Sequence, residues 1–226
     1  MRFRQIQALI FDFDGTLIDA SAAVCHGFSS ALAQQNRDPL ADSEIRRLIG
    51  KPLREMFSIV WPDASPDQLN QLVDDYRAAF DPVACSMSQP IPGLDAMLAH
   101  FHPAMRFGIA TSRMSDGAHR ILGGLNILDC FEVIVGLQDV AQAKPHPEPV
   151  LKAAAALATD PRHAIMIGDN PVDMQSGSQA GAHTIGIVSE HYSATDLIAA
   201  GAVATISRLD ELIELVEHPT AAPRTD

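Results

Sequence analysis

The sequence predicts an α/β fold: a parallel sheet covered by helices on both faces and interrupted near its start by an all-helical insert. Three observations carry that prediction. From about residue 93 onward, short apolar runs alternate with helical stretches, the pattern of buried parallel strands joined by crossover helices. Residues 20 to about 85 contain no such run and read as helices only. A strand-free block of about 65 residues exceeds an ordinary loop, so it is expected to fold as a helical subdomain.

The first strand is the apolar run Ala8, Leu9, Ile10, Phe11, which ends abruptly in Asp12, Phe13, Asp14, Gly15 and Thr16. Within the insert, Ser65-Pro66-Asp67-Gln68 has the form of a capping box with Pro at the first helical position. Leu69, Leu72, Val73, Tyr76 and Phe80 then fall on one apolar stripe of the helix that follows. "SQPIPG" (88–93) reads as the return linker. Strand runs follow at 106–111, 131–136, 163–169, 182–188 and 202–207, and helices are expected near 115–125, 149–158, 174–180, 194–200 and 209–216. The expected organisation is a Rossmann-like core from 1–18 and 89–217, a helical insert at 19–88, and a flexible polar tail at 218–226.

A chain of 226 residues with 47% apolar residues has enough material for one large or two modest domains. Lys and Arg number 16 against 28 Asp and Glu, a formal charge of −12 that disfavours a nucleic-acid polymer or an anionic membrane as partner. Any anionic ligand then needs a local cation. Cys25, Cys85 and Cys130 are far apart and odd in number, and read as buried free thiols of a reducing compartment. No run approaches the ~20 apolar residues of a membrane span, and the start of the chain enters a strand without a leader pattern, so the expected location is cytoplasmic.

Four of the apolar strands lead into chemically capable groups. The first ends in Asp12 and Asp14, the second in Thr111 and Ser112, the third runs through its loop to Lys144, and the fourth ends in Asp169 with Asp173. Each has an ordinary explanation when taken singly. An Asp after a strand caps the next helix, Thr and Ser satisfy loop amides, and a Lys is solvated. In a parallel sheet, however, all of them converge beyond the carboxyl edge. Together they make a metal-and-anion site. Hard oxygens from Asp12, Asp14 and Asp169 suit Mg²⁺, which takes substrate phosphate as a further ligand. A carboxylate can accept a phosphoryl group covalently. Thr111 can donate to a phosphate oxygen, Lys144 supplies a point charge, and Gly15 lets backbone N–H groups approach an anion.

The strings "DFDGT", "ATSR", "AKPHPEP" and "GDNPVD", in that order, resemble the four signatures of the haloacid dehalogenase superfamily of phosphohydrolases, over about residues 6 to 212. The resemblance implies that Asp12 is the nucleophile and that Asp14 is general acid and then general base. It further implies that Thr111 holds the transferring phosphate and Lys144 balances its charge. Asp169 would bind Mg²⁺ with Asp12 and the backbone carbonyl of Asp14, and Asp173 would support the metal's waters. Residues 20–85 would be a cap closing over the substrate. Asp14 argues against dehalogenation and phosphonate cleavage, and Gly168-Asp169 stands where sugar-phosphate mutases of this type usually carry Glu-Asp. "GDNPVDMQSGSQAG" looks more like the phosphoglycolate phosphatase and pyrophosphatase branch.

The expected function is Mg²⁺-dependent hydrolysis of a small phosphorylated metabolite by a monomer or homodimer. Sugar-phosphate mutase, pyrophosphatase, a silent binding module of the same fold and a receiver-like signalling domain are the alternatives. A receiver-like domain is disfavoured by the insert and by a base adjacent to the phosphoaspartate. "EIRRLIGKPLREMF" (44–57) is a basic cluster, in which Arg47 or Lys51 could read a second anionic group of the substrate. A solvated helix face explains the same cluster equally well. Arg113, next to the second motif, is a further substrate-binding candidate.

Overall fold

The computed structural model describes residues 2–102 and 104–217; the tail expected at 218–226 lies outside them. The chain opens with strand β1 (Ala8–Phe11) and the two-residue β2 (Ile18–Asp19). Four helices follow: α1 (Ser21–Gln34), α2 (Asp42–Arg46), α3 (Leu53–Val60) and α4 (Pro66–Phe80). After β3 (Gln89–Pro90) come α5 (Leu94–Phe101), β4 (Arg106–Ala110), α6 (Ser115–Gly124) and β5 (Val133–Val135). The chain continues through α7 (Glu148–Ala156), β6 (Ala164–Gly168), α8 (Pro171–Ala180) and β7 (His183–Ile187), then α9 (Ala194–Ala199), β8 (Ala204–Ile206) and α10 (Leu212–Leu215).

Six strands make one parallel sheet in the order β5-β4-β1-β6-β7-β8, with β1 at the centre. Both faces are buried. Leu9 and Phe11 of β1 join Ile109, Ile165 and Ile167 in one apolar layer, whereas Ala8 and Ile10 point the other way onto Val150, Ala153, Ala154 and Leu157 of α7 and its end. The alternation follows from the period of two along a strand. Small residues on the second face let helices approach closely. At Gly177 of α8 an added Cβ would lie 2.7 Å from Met166 and Thr184 of the sheet.

In the insert, the Ser65 hydroxyl accepts from the Gln68 N–H at 3.2 Å while Gln68 accepts from the Ser65 N–H at 2.8 Å, so the capping box forms as its residues dictate. Leu72, Tyr76 and Phe80 are buried along α4, with Leu69 and Val73 half-buried beside them. Aromatic stacking ties the helices together: Phe28 lies on Phe57 at 4.2 Å between centroids, and Tyr76 on Phe80 at 5.2 Å.

Three sequence expectations need correction. The return segment 88–93 is not only a linker, because Gln89 and Pro90 pair antiparallel with Asp19 and Ile18 in a small ribbon where the chain leaves and re-enters the core. The expected helix at 209–216 is instead a 3₁₀ turn (Leu209–Glu211) leading into α10, in keeping with the i, i+3 spacing of the buried Leu209 and Leu212. Of the three free cysteines only Cys25 is buried. Cys130 is intermediate, and Cys85 is exposed because it falls in the turn beyond α4, after the last core residue Ala84. Among the described residues no helix is long and apolar enough to cross a membrane.

Because Phe28 is fully buried and stacked, Phe28→Ala should cost about 3–5 kcal/mol of stability, measured by urea unfolding. A loss below ~1 kcal/mol would show that the stacked pair does not organise the insert.

Candidate active site

The register of the sheet brings the motif residues together. Phe11 of β1 is level with Ile109 of β4 and Ile167 of β6, so Asp12, Thr111 and Asp169 leave the same edge of three adjacent strands within a residue or two. The Asp12 N–H donates to the Ile167 carbonyl at 2.8 Å, and the Thr111 N–H to the Val135 carbonyl at 2.9 Å, which prolongs the ladder up to the site. Asp173 arrives from the first turn of α8, where Asn170 caps the helix by accepting from the Val172 N–H at 3.2 Å. The Asn170 N–H in turn donates to the Asp173 carboxylate at 3.1 Å. Lys144 reaches in from the segment ahead of α7.

Lys144 is the electrostatic centre. Its Nζ lies 2.7 Å from Asp12 Oδ1 and 2.6 Å from Asp173 Oδ1, and donates to the Ala110 carbonyl at 3.0 Å, with its side chain 2% exposed. Burial works against its charge, but the carboxylates of Asp12 and Asp173 outweigh burial and hold it protonated, above the usual lysine range. The acids fare differently. Burial pushes the Asp12 carboxyl up to about 7 against the pull of Lys144, with Asp173 and Asp14 adding to the rise. Burial likewise raises Asp169 well above the usual carboxylate range, and Asp12 and Asp173 add to it. Both trends have the same causes: burial first, and then carboxylates crowded together around one ammonium.

Carboxylate oxygens of Asp12, Asp169 and Asp173 lie within 4.8 Å of one another. Asp169 Oδ1 also accepts from the Thr16 hydroxyl at 3.2 Å. Gly15, at φ +83°, passes so close that a Cβ there would stand 2.5 Å from Asp169 Oδ2, so this turn admits only a glycine. Hard oxygens in local excess over positive charge are a donor set that fits a small divalent cation.

Asp14 belongs to a different neighbourhood. Its two oxygens accept from Nε and Nη2 of Arg113 at 2.9 and 2.7 Å, a bidentate fork. The guanidinium lies between the rings of Phe13 and Phe80, at 5.7 and 4.9 Å from their centroids. Burial opposes its charge, and Asp14 more than offsets that and raises its pKa. The Arg113 N–H donates to the Thr111 hydroxyl at 3.1 Å. Asp12, Asp14, Thr111, Ser112 and Arg113 all line one cavity of about 1130 Å³ that runs out among the helices of the insert.

The basic residues of the insert are placed less centrally. Lys51 lines that cavity but is 46% exposed and pairs with Glu55 at 3.1 Å. Arg47 is exposed and lines a second cavity of about 270 Å³, which also touches Asp14, Gly15 and Asp169. Sequence reasoning did not assign Thr16 or the Ala110 carbonyl. The first lay unread inside the quoted "DGT" string, and a backbone acceptor leaves no sequence signal. His146 is structural, its Nδ1 accepting from the Glu148 N–H at 3.2 Å. Lys144→Met should cost about 3–5 kcal/mol by urea unfolding, since it strands two buried carboxylates. In an Asp12→Asn background the same change should cost less, and equal costs would mean that the pair is not coupled.

Comparison with known proteins identifies relatives of the chain and of its fold. The profile of the Haloacid dehalogenase-like hydrolase family matches residues 9–187. A pyrophosphatase PpaX from Bacillus pumilus is 33% identical over 185 residues, which cover 80% of this chain and 83% of that protein. A phosphoglycolate phosphatase from Cereibacter sphaeroides is 27% identical over 215 residues, 93% of this chain and 97% of its own. Among solved structures, a haloacid dehalogenase-like hydrolase from Bacteroides fragilis superposes with a TM-score of 0.85 at 30% identity, covering 92% of this chain and 99% of that one. A fold built on six parallel strands thus has its counterpart in a known family of enzymes, and this chain belongs to the haloacid dehalogenase-like hydrolases.

Proposed function

We propose that this enzyme is a Mg²⁺-dependent phosphatase that hydrolyses a small phosphate monoester through an aspartyl-phosphate on Asp12. The observation that carries the reading is the contact of the buried Asp12 with Lys144 beside Asp169 and Asp173, at the inner end of a cavity that Asp14 also lines. Asp12, Asp169 and Asp173 are the residues that would hold or support the cation. Bound there, Mg²⁺ offsets the charge of phosphate and carboxylates and polarises the phosphoryl group.

In the first step an Asp12 oxygen attacks phosphorus and the ester P–O bond breaks, while Asp14, having taken up a proton from solvent on leaving Arg113, passes that proton to the departing alcohol oxygen. Both Asp14 oxygens are occupied by Arg113, so Asp14 acts once the fork has released at least one of them. In the second step Asp14 takes a proton from water, the water oxygen attacks phosphorus, and the Asp12–phosphate bond breaks to leave inorganic phosphate. Lys144 stays protonated throughout and faces the charge that moves between Asp12 and the phosphate. Thr111 and Ser112 supply hydroxyls at the cavity wall, and residues 19–88 act as a cap that excludes water. Cleavage of pyrophosphate, with phosphate in place of the alcohol, is a second reading supported by the name of the Bacillus pumilus relative.

Phosphate release from a panel of phosphate esters should require Mg²⁺, stop with chelator, and fall about 10³-fold or more in Asp12→Asn. Activity that survives in Asp12→Asn would refute the nucleophile assignment. Independently of turnover, saturating Mg²⁺ should raise the melting temperature, because a ligand at a hundred times its Kd stabilises by ~2.7 kcal/mol. Asp169→Asn should abolish most of that rise. An equal rise in both proteins would place the cation elsewhere.

A further inference from the structure

We infer, on the phosphatase reading above, that the site takes phosphate monoesters of a bulky, uncharged alcohol with an apolar or flat body, in preference to esters that carry a second anionic group. Size comes first. The cavity that starts at Asp12 is an open cleft of about 1130 Å³, above the ~300–1,000 Å³ typical of pockets for drug-sized ligands. Phosphoglycolate or pyrophosphate would leave most of it to water.

Beyond Asp12 and Asp14 the lining mixes charged residues with an apolar set. Val24, Leu53, Met56 and Val73 of the insert face Met114 and Leu137 of the core across the cavity. Phe80 and Tyr76, stacked at 5.2 Å and almost fully buried, back this lining, with Arg113 over the Phe80 ring at 4.9 Å. Burying an apolar body here is favourable in proportion to its area.

Charge decides against a second anion. Five acids and five lysines or arginines line the cavity, so its wall has no excess of positive charge to attract one. Four of the five bases already hold partners. Arg113 grips Asp14, Arg120 forks onto Asp81 at 2.9 and 2.7 Å, Lys51 pairs with Glu55, and Arg54 donates to Asn70. The fifth, Arg77, shares its wall with Asp74 and Asp116. At Arg113, Arg120 and Lys51 a substrate carboxylate would have to displace a protein acid from its cation, which costs what it returns, and the charges of Arg54 and Arg77 are matched in number by Asp74 and Asp116 of the same lining. An uncharged body makes no such demand.

The test is kcat/KM with Mg²⁺ for 2-phenylethyl phosphate, ethyl phosphate, phosphoglycolate and pyrophosphate. The two alkyl esters share the same kind of leaving alcohol, so their ratio isolates the apolar body. The phenyl-bearing ester should exceed ethyl phosphate about tenfold or more, and should exceed both anionic substrates. Val73→Trp and Met114→Trp, on opposite walls, should each pull the ratio toward one by filling the cavity. A wild-type ratio near one, faster turnover of phosphoglycolate or pyrophosphate, or a ratio that neither variant moves overturns the inference and leaves the phosphatase reading standing. Phosphate release from none of the four overturns both.

Discussion

A buried ammonium facing more carboxylates than it can neutralise is the constraint on which the site depends. Removing such groups from water costs several kcal/mol per charge, and attraction recovers that only where geometry is close and the remaining polar atoms are satisfied. Lys144 meets the condition with three contacts, to Asp12, Asp173 and the Ala110 carbonyl. The sheet supplies the geometry. With β1 between β4 and β6, the residues that follow three neighbouring strands emerge side by side, and α8 begins where Asp173 can reach the same point. The arrangement leaves negative charge uncompensated at the place where a phosphatase of this family would bring a cation and a phosphate.

The bend that follows β1 gives Asp12 and Asp14 different partners within three residues. Asp12 turns toward Lys144, the fully buried Phe13 packs into the core, and Asp14 turns toward Arg113. The proposed nucleophile and the proposed acid–base group thereby sit in different electrostatic surroundings although two positions apart. Arg113 is the link outward. It holds Asp14, its main-chain N–H meets Thr111, and its guanidinium rests on Phe80 at the end of α4. Arg113 thus touches both the helical insert and the strand edge that carries Asp14 and Thr111. The strand ribbon of Ile18–Asp19 with Gln89–Pro90 brings the two crossings of the chain together beneath it.

Much of this was legible because it is local. Apolar runs of four or five residues marked the strands, the Ser65–Gln68 box marked the start of α4, Asp12, Thr111 and Asp169 stood where those runs end, and Lys144 and Asp173 stood in the segments that follow. What escaped was either too short or too distant to leave a pattern. A two-residue strand containing Pro90 has no periodicity to read. The exposure of Cys85 follows from where a turn happens to lie. Arg113 could be named as a residue near the substrate, but its fork onto Asp14 joins positions 99 residues apart and is invisible to spacing.

The sequence by itself determined the parallel α/β core, the helical insert and the identity of the groups at the strand ends, since each depends on hydrophobic periodicity or on motifs of a few residues. Only the tertiary structure decided which acid faces which cation, that Arg47 and Lys51 stand apart from the buried cluster, and how large and how evenly charged the cavity is. Those properties are sums over side chains from α1 to α6, far apart in the chain, and such sums exist only once the chain has folded.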